Sequence, residues 1–243
     1  MTKFENADLH GAVFRNVDLT GATFREVAFH DVTMRSVELG RVTIDGEIED
    51  LVINGVDVGP LIEAELDRRD PDRVAMRPAT PEGFREAWDI LDRLWAETIA
   101  KARALPAEKL HESVGGEWSF IETLRHLAFA TESWIGRGIL GDPSPWDPLS
   151  LPWDGMPDTP GVPRDRTVRP SLGEALALRD SRRAMAGKVI GELTDDTLAA
   201  HTTPVTGPGW PPPESFPVKE CLLVVLNEEY QHRLYAERDL AEL

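Results

Sequence analysis

The sequence predicts a mixed, two-part chain: a short four-sided β-coil, then an all-α, up-down four-helix bundle. Three observations predict it. Apolar residues recur every five positions from Phe4 to Ile44; four later segments carry apolar residues at helical spacing; and no strand pattern appears after residue 75. The chain divides into residues 1–59 for the coil, 60–79 for a connecting helix and linker, and 80–243 for the bundle.

Length and composition bound the reading. With 243 residues, 41% of them hydrophobic and 28% charged, the chain can build a sizeable core. A net charge of −17, from 26 Lys+Arg against 43 Asp+Glu, excludes nucleic acid as a ligand, because phosphate binding needs a basic footprint. One cysteine excludes an internal disulfide, and no basic N-terminal stretch runs into an apolar segment, so a cytoplasmic location is expected. The longest apolar run, "CLLVVL", is far short of the roughly 20 residues that span a bilayer, so no membrane partner is expected.

The coil rests on period. Phe4, Leu9, Phe14, Leu19, Phe24, Phe29, Met34, Leu39 and Ile44 stand five apart, and Ala7, Ala12, Val17, Ala22, Val27, Val32, Val37 and Val42 stand two places before eight of them. A helix scatters residues five apart by about 140° per step, and a strand sends alternate ones to opposite faces. A four-sided coil with one unit per side points both sets inward and Asp, Arg, Asn and Thr outward. The units "NADLH", "NVDLT" and "GATFR" resemble the pentapeptide-repeat family, which implies a right-handed quadrilateral β-helix. Some members of that family imitate DNA with a long acidic rod. Here fewer than three coils, at about 4.8 Å per coil, give a stub on the order of 15 Å, under half of a DNA turn of about 34 Å. The segment is therefore read as a packing or dimer-forming cap, with a homodimer as the expected assembly. The spacing slips in "GEIEDLVINGVDVGP", read as a last irregular coil before a short helix at about residues 60–69.

Phe84, Trp88, Leu91, Trp95 and Ile99 form the stripe of a first long helix over about residues 80–105. The second opens at the capping box Ser119–Glu122 and runs to about Gly141, and the third opens at the capping box Ser171–Glu174. The fourth follows Pro217. Two long Pro-rich connections, one holding Trp146 and Trp153 and the other Trp210, are too apolar to wave in solvent and read as ordered lids.

The last helix places Glu228 and His232 at i and i+4, on a stripe shared with Cys221, Val225 and Tyr235. His126 lies on the second helix, on a face with Glu122, Phe129, Ala130 and Ser133. Three donors on two helices are the pattern of a metal site inside a bundle. Glu229, at i+3 from His232, is the alternative carboxylate, about 100° around the helix; Glu228 is preferred because it shares the stripe. Cys221 reads as a small buried apolar residue, His201 as a surface position, and His10, His30 and His111 receive no role.

The run Trp118, Ser119, Glu122, Leu124, His126 and Leu127 matches W-S-x-x-E-x-L-x-H-L, and with it the chain resembles the DinB/YfiT-like four-helix metalloproteins, which include the mycothiol-dependent maleylpyruvate isomerases. The resemblance covers about residues 80–243 and implies a divalent metal held by His126, Glu228 and His232. Two neutral imidazoles and a carboxylate leave open coordination positions, as in catalytic zinc sites; nickel or iron also accept these donors. The resemblance further implies a metal-dependent thiol S-transferase or isomerase that uses a low-molecular-weight thiol such as mycothiol on a small-molecule substrate. The competing reading is a non-catalytic metal-binding scaffold or stress-response interaction protein. Substrate recognition would rest on scattered arginines such as Arg125, Arg164 and Arg233.

Overall fold

In the computed structural model, which describes residues 2–5, 7–25, 27–46 and 48–243, the five-residue period is a period of the backbone. φ is positive at Gly11 (72°), Asn16 (56°), Gly21 (75°), Asp31 (55°), Ser36 (56°) and Arg41 (56°). Among the described residues, six of the repeats thus turn at a residue in the left-handed region, which Gly, Asn and Asp enter most readily. Turn hydrogen bonds close two of the corners, from Ala12 N to the Leu9 carbonyl (3.0 Å) and from Ala22 N to the Leu19 carbonyl (2.9 Å). Asn6 of the first repeat lies outside the described residues.

The expected apolar interior is corrected. The nine residues from Phe4 to Ile44 are between 45% and 65% exposed, and among the described residues before 48 there is no β-strand. The reason is length. Side chains inside a four-sided coil would be covered by the coils above and below, and a segment long enough for fewer than three such coils has little chain to cover them with.

The chain separates into two compact units, Met1–Glu47 and Ile48–Leu243. The second unit opens with a hairpin of β1 (Val52–Ile53) and β2 (Val56–Asp57), in register Val52 to Asp57 and Ile53 to Val56. Asn54 (φ 50°) and Gly55 (φ 82°) form its two-residue turn, so the irregular last coil expected here is a tight hairpin. Helices α1 (Gly59–Arg69) and α2 (Asp72–Ala75) follow, cross-linked by ion pairs from Arg73 to Glu63 (2.7 Å) and Asp67 (2.6 Å).

The long helices then come in order. α3 (Pro81–Arg103) is capped by Thr80, whose side chain accepts from Gly83 N. α4 (Phe120–Thr131) and α5 (Leu172–Gly191) begin at the two predicted capping boxes. After the short α6 (Asp195–Leu198) comes α7 (Val218–Leu240). α4 does not run on to Gly141 as one α-helix. It passes into a π-helical segment, Glu132–Ile139, that contains Gly136 and Gly138. α4 packs on α5 and α7, and α3 packs on α7 and α5. The shared core includes Phe84, Trp88, Leu91, Ile190, Leu222 and Leu226, and a second cluster around Trp95 and Leu124 continues it.

Two fully buried arginines hold the long connections in place. Arg125 donates to the carbonyls of Leu149 (2.6 Å), Asp165 (2.6 Å) and Val168 (3.3 Å). Arg137, in the π segment, donates to Pro143 (2.9 Å) in the first connection and to Val205 (2.8 Å), Gly207 (2.9 Å) and Pro211 (3.3 Å) in the second. The tryptophans pack as expected of ordered lids. Trp146, Phe129, Met156 and Val162 form a buried cluster with Trp153 and Trp210 against it, and Trp146 donates to Ser133 Oγ (3.0 Å). Gly209 is required beside it, because a Cβ there would lie 2.4 Å from the Trp146 ring and 2.8 Å from the Arg137 guanidinium carbon.

Two outcomes follow for urea unfolding followed by circular dichroism. Leu124→Ala, at a site with no exposure, should cost about 2–5 kcal/mol, whereas Phe24→Asp should cost only about 1 kcal/mol, because its ring is already half in water. Arg137→Met strands carbonyls in both connections at once and should cost about 2–4 kcal/mol. Its amide hydrogen exchange should rise in both connections together, residues 142–170 and 199–217.

Candidate metal centre

The capping box that starts α4 sets His126 two turns into the helix, with its ring against the first connection. His126 Nδ1 lies 3.0 Å from the Leu151 carbonyl, and Leu151 N donates back to the Arg125 carbonyl (3.2 Å). A carbonyl only accepts, so Nδ1 carries a proton, and Nε2 is the nitrogen that donates to Glu228 when the ring is charged and offers a lone pair when it is neutral. That nitrogen faces Glu228 Oε2 at 3.3 Å. On α7, His232 Nε2 lies 3.0 Å from the same oxygen.

The three donor atoms of His126, Glu228 and His232 lie within 4.8 Å of one another. Metal–donor bonds of about 2.0–2.1 Å in a tetrahedron put neighbouring donors roughly 3.4 Å apart, so the contacts of 3.0 and 3.3 Å fit a zinc-sized ion. Burial opposes the Glu228 charge, but hydrogen bonds and charge from His126 and His232 outweigh it and hold the carboxyl well below the usual carboxylate range. The side chain of Glu228 is 29% exposed and that of His232 19%, against 7% for His126. The cluster is reached from the α7 side.

Glu229 stands apart from the three donors. It is buried on the other side of α7, where it pairs with Arg179 and, at 3.1 Å, with Arg183, and it takes no part in the cluster. Cys221 has no exposure, and burial pushes its thiol up to about 11, which matches a packing residue. His201 is exposed on the surface, bridged through its backbone to Pro217. The three arginines are corrected as substrate readers: Arg125 binds loop carbonyls, Arg164 pairs with Asp158 (2.6 Å), and Arg233 donates to the Leu94 carbonyl (3.1 Å) and Thr98 Oγ1 (3.0 Å).

Sequence reading missed the aromatic wall. Trp118 lies 4.5 Å, ring to ring, from His126 and stacks on His232 at 5.7 Å with 6° between planes. Its indole N–H donates to Asp154 (3.1 Å), which pairs with Arg166, whose guanidinium lies over the Trp118 ring at 5.8 Å. Tyr235 meets the His232 ring edge to face at 5.7 Å. The signal for Trp118 was its place immediately before the helix cap, two turns below His126.

Comparison with curated proteins returns no match, and comparison with solved structures returns none. Two family models match: pentapeptide repeats, in eight copies over residues 2–39, and the DinB superfamily over residues 90–236. The second match takes in α4, most of α7 and all three converging donors, so the helical part of the chain belongs to the DinB superfamily, preceded here by a run of pentapeptide repeats.

Proposed function

We propose that His126, Glu228 and His232 hold one divalent metal ion in an up-down four-helix bundle, with zinc first and nickel or iron the other metals these donors accept. The chain is read as a metal-dependent thiol S-transferase or isomerase that uses a low-molecular-weight thiol such as mycothiol. One observation supports the metal reading: two imidazole nitrogens and one carboxylate oxygen, brought from two helices, lie within 4.8 Å of one another, the spacing of donors around a single ion.

When bound, such an ion supplies a Lewis acid that lowers the pKa of a coordinated thiol or water. The chain's own groups do the rest. The Leu151 carbonyl keeps the His126 proton on Nδ1 and the ring at a fixed angle. Glu228 stays ionised, so the donor set contributes one negative charge. Trp118 covers one side of both imidazoles and excludes water there. Trp153 and Trp210, with ring centres 4.9 Å apart, join the two connections that serve as lids.

The scaffold reading has its own supporting observation. The repeats carry apolar side chains half exposed along the segment, from Phe4 to Ile44, a surface of the kind that partners cover. The two readings separate at the metal: a scaffold has no need of a thiol.

Protein purified without added metal should carry one equivalent of a divalent ion by elemental analysis, and His126→Ala and His232→Ala should each lose most of it. Full retention by both variants removes the metal reading. In the Co²⁺ form, mycothiol should produce a sulfur-to-metal charge-transfer band that an alcohol analogue does not, because coordination deprotonates the thiol. No band with mycothiol, bacillithiol or glutathione overturns the thiol reading in favour of the scaffold.

A further inference from the structure

α7 carries two interleaved pairs of side chains. Glu228 and His232 form one i, i+4 pair, and Glu229 and Arg233, one residue on from each, form another about 100° around the helix. The second pair is held by directional contacts. Glu229 is 1% exposed; its Oε2 accepts a hydrogen bond from Arg179, itself 1% exposed, and forms an ion pair at 3.1 Å with Arg183, whose hydrogen bond goes to Asp92 of α3. The Trp95 indole donates to the Glu229 main-chain carbonyl (3.1 Å). The two guanidiniums lie over tryptophan rings of α3, Arg179 over Trp95 at 4.2 Å and Arg183 over Trp88 at 4.4 Å. Arg233 Nε reaches the Leu94 carbonyl (3.1 Å) and Thr98 Oγ1 (3.0 Å), also on α3.

Stability alone does not account for such a group. Two cations and a carboxylate taken out of water are usually no better for folding than apolar residues of the same volume, and here Glu229 Oε1, Arg179 Nε and Arg183 Nη1 are buried with no hydrogen-bond partner. Directional bonds do something that apolar packing does not: they fix rotation. Side-chain tips lie about 5–6 Å from a helix axis, so turning α7 by about 10° would move the Glu228 and His232 donors by about 1 Å. Metal sites tolerate departures of only about 0.2 Å.

We infer that Glu229, with Arg179, Arg183 and Arg233, is the positioning group of the metal centre, setting the rotation of α7 so that Glu228 and His232 meet His126. This rests on the metal reading above and adds to it residues that touch neither metal nor substrate.

The test is Co²⁺ titration of the full chain, read by affinity and by the visible d–d spectrum, with thermal melting run alongside. The triple variant Arg179→Met, Arg183→Met, Glu229→Leu removes all three charges at similar volume. It should melt near the wild type, bind Co²⁺ about 10–100-fold more weakly, as loss of groups that orient ligands does elsewhere, and show a changed d–d spectrum. Arg179→Lys keeps the charge but loses the planar fork; it tests the same point without relying on the triple variant to fold, and should weaken Co²⁺ binding several-fold with the same spectral change. Wild-type affinity and spectrum in Arg179→Lys together with a folded triple variant of wild-type affinity overturn the inference. A wild-type chain that binds no Co²⁺ overturns the metal reading itself, an outcome no variant can mimic.

Discussion

Two adjacent carboxylates on α7 leave bulk water on different sides of the helix, and the surroundings of each follow from the need to compensate its charge. Glu229 faces α5 and meets two guanidiniums; Glu228 faces α4 and meets two imidazoles. The difference in partners decides what each can do. A guanidinium has no lone pair to offer, so the partners of Glu229 cannot join it as metal donors. Histidine can give up its proton and present a lone pair, so the cluster around Glu228 can exchange protons for a metal ion.

The long connections depend on the same kind of compensation, with main-chain oxygens in place of carboxylates. Arg125 and Arg137 are buried, and each turns its guanidinium on several carbonyls of chain that has no regular structure. The carbonyls that a loop cannot satisfy internally become the partners that let these cations be buried. Because Arg125 and His126 are neighbours, ordering the first connection and placing the Leu151 carbonyl on His126 are parts of one arrangement. The π-helical run Glu132–Ile139 serves both connections in the same way, since Arg137 anchors Val205 and Gly207 of the second and Ser133 anchors Trp146 of the first.

Much of this was legible in the sequence, and the limits have physical causes. Both capping boxes announced the starts of α4 and α5, and the stripe from Phe84 to Trp95 announced α3, because these signals are local. Placing Glu228 in the cluster and Glu229 outside it needed only the 100° step of a helix. The roles of Arg125, Arg179 and Arg183 were not legible, because their partners lie 24 to 91 residues away along the chain and a buried arginine looks like a surface one in sequence. The hairpin at Asn54–Gly55 was legible and was passed over, since the five-residue period drew attention from an ordinary turn signal. The five-residue period reappears in the backbone as positive-φ residues five apart, but the burial expected of the apolar residues depends on how much chain covers them, which a repeating motif does not state by itself.

The central claim is that two imidazoles and one carboxylate from α4 and α7 converge on a single metal ion. X-ray absorption at the metal edge of protein purified without added metal tests it most directly. The account predicts a first shell of nitrogen and oxygen only, at about 2.0–2.2 Å for zinc, with the outer-shell scattering of two imidazole rings. A sulfur neighbour at about 2.3 Å, which only Cys221 or a methionine could supply within the chain, or a shell of oxygens with no imidazole signature, would contradict it.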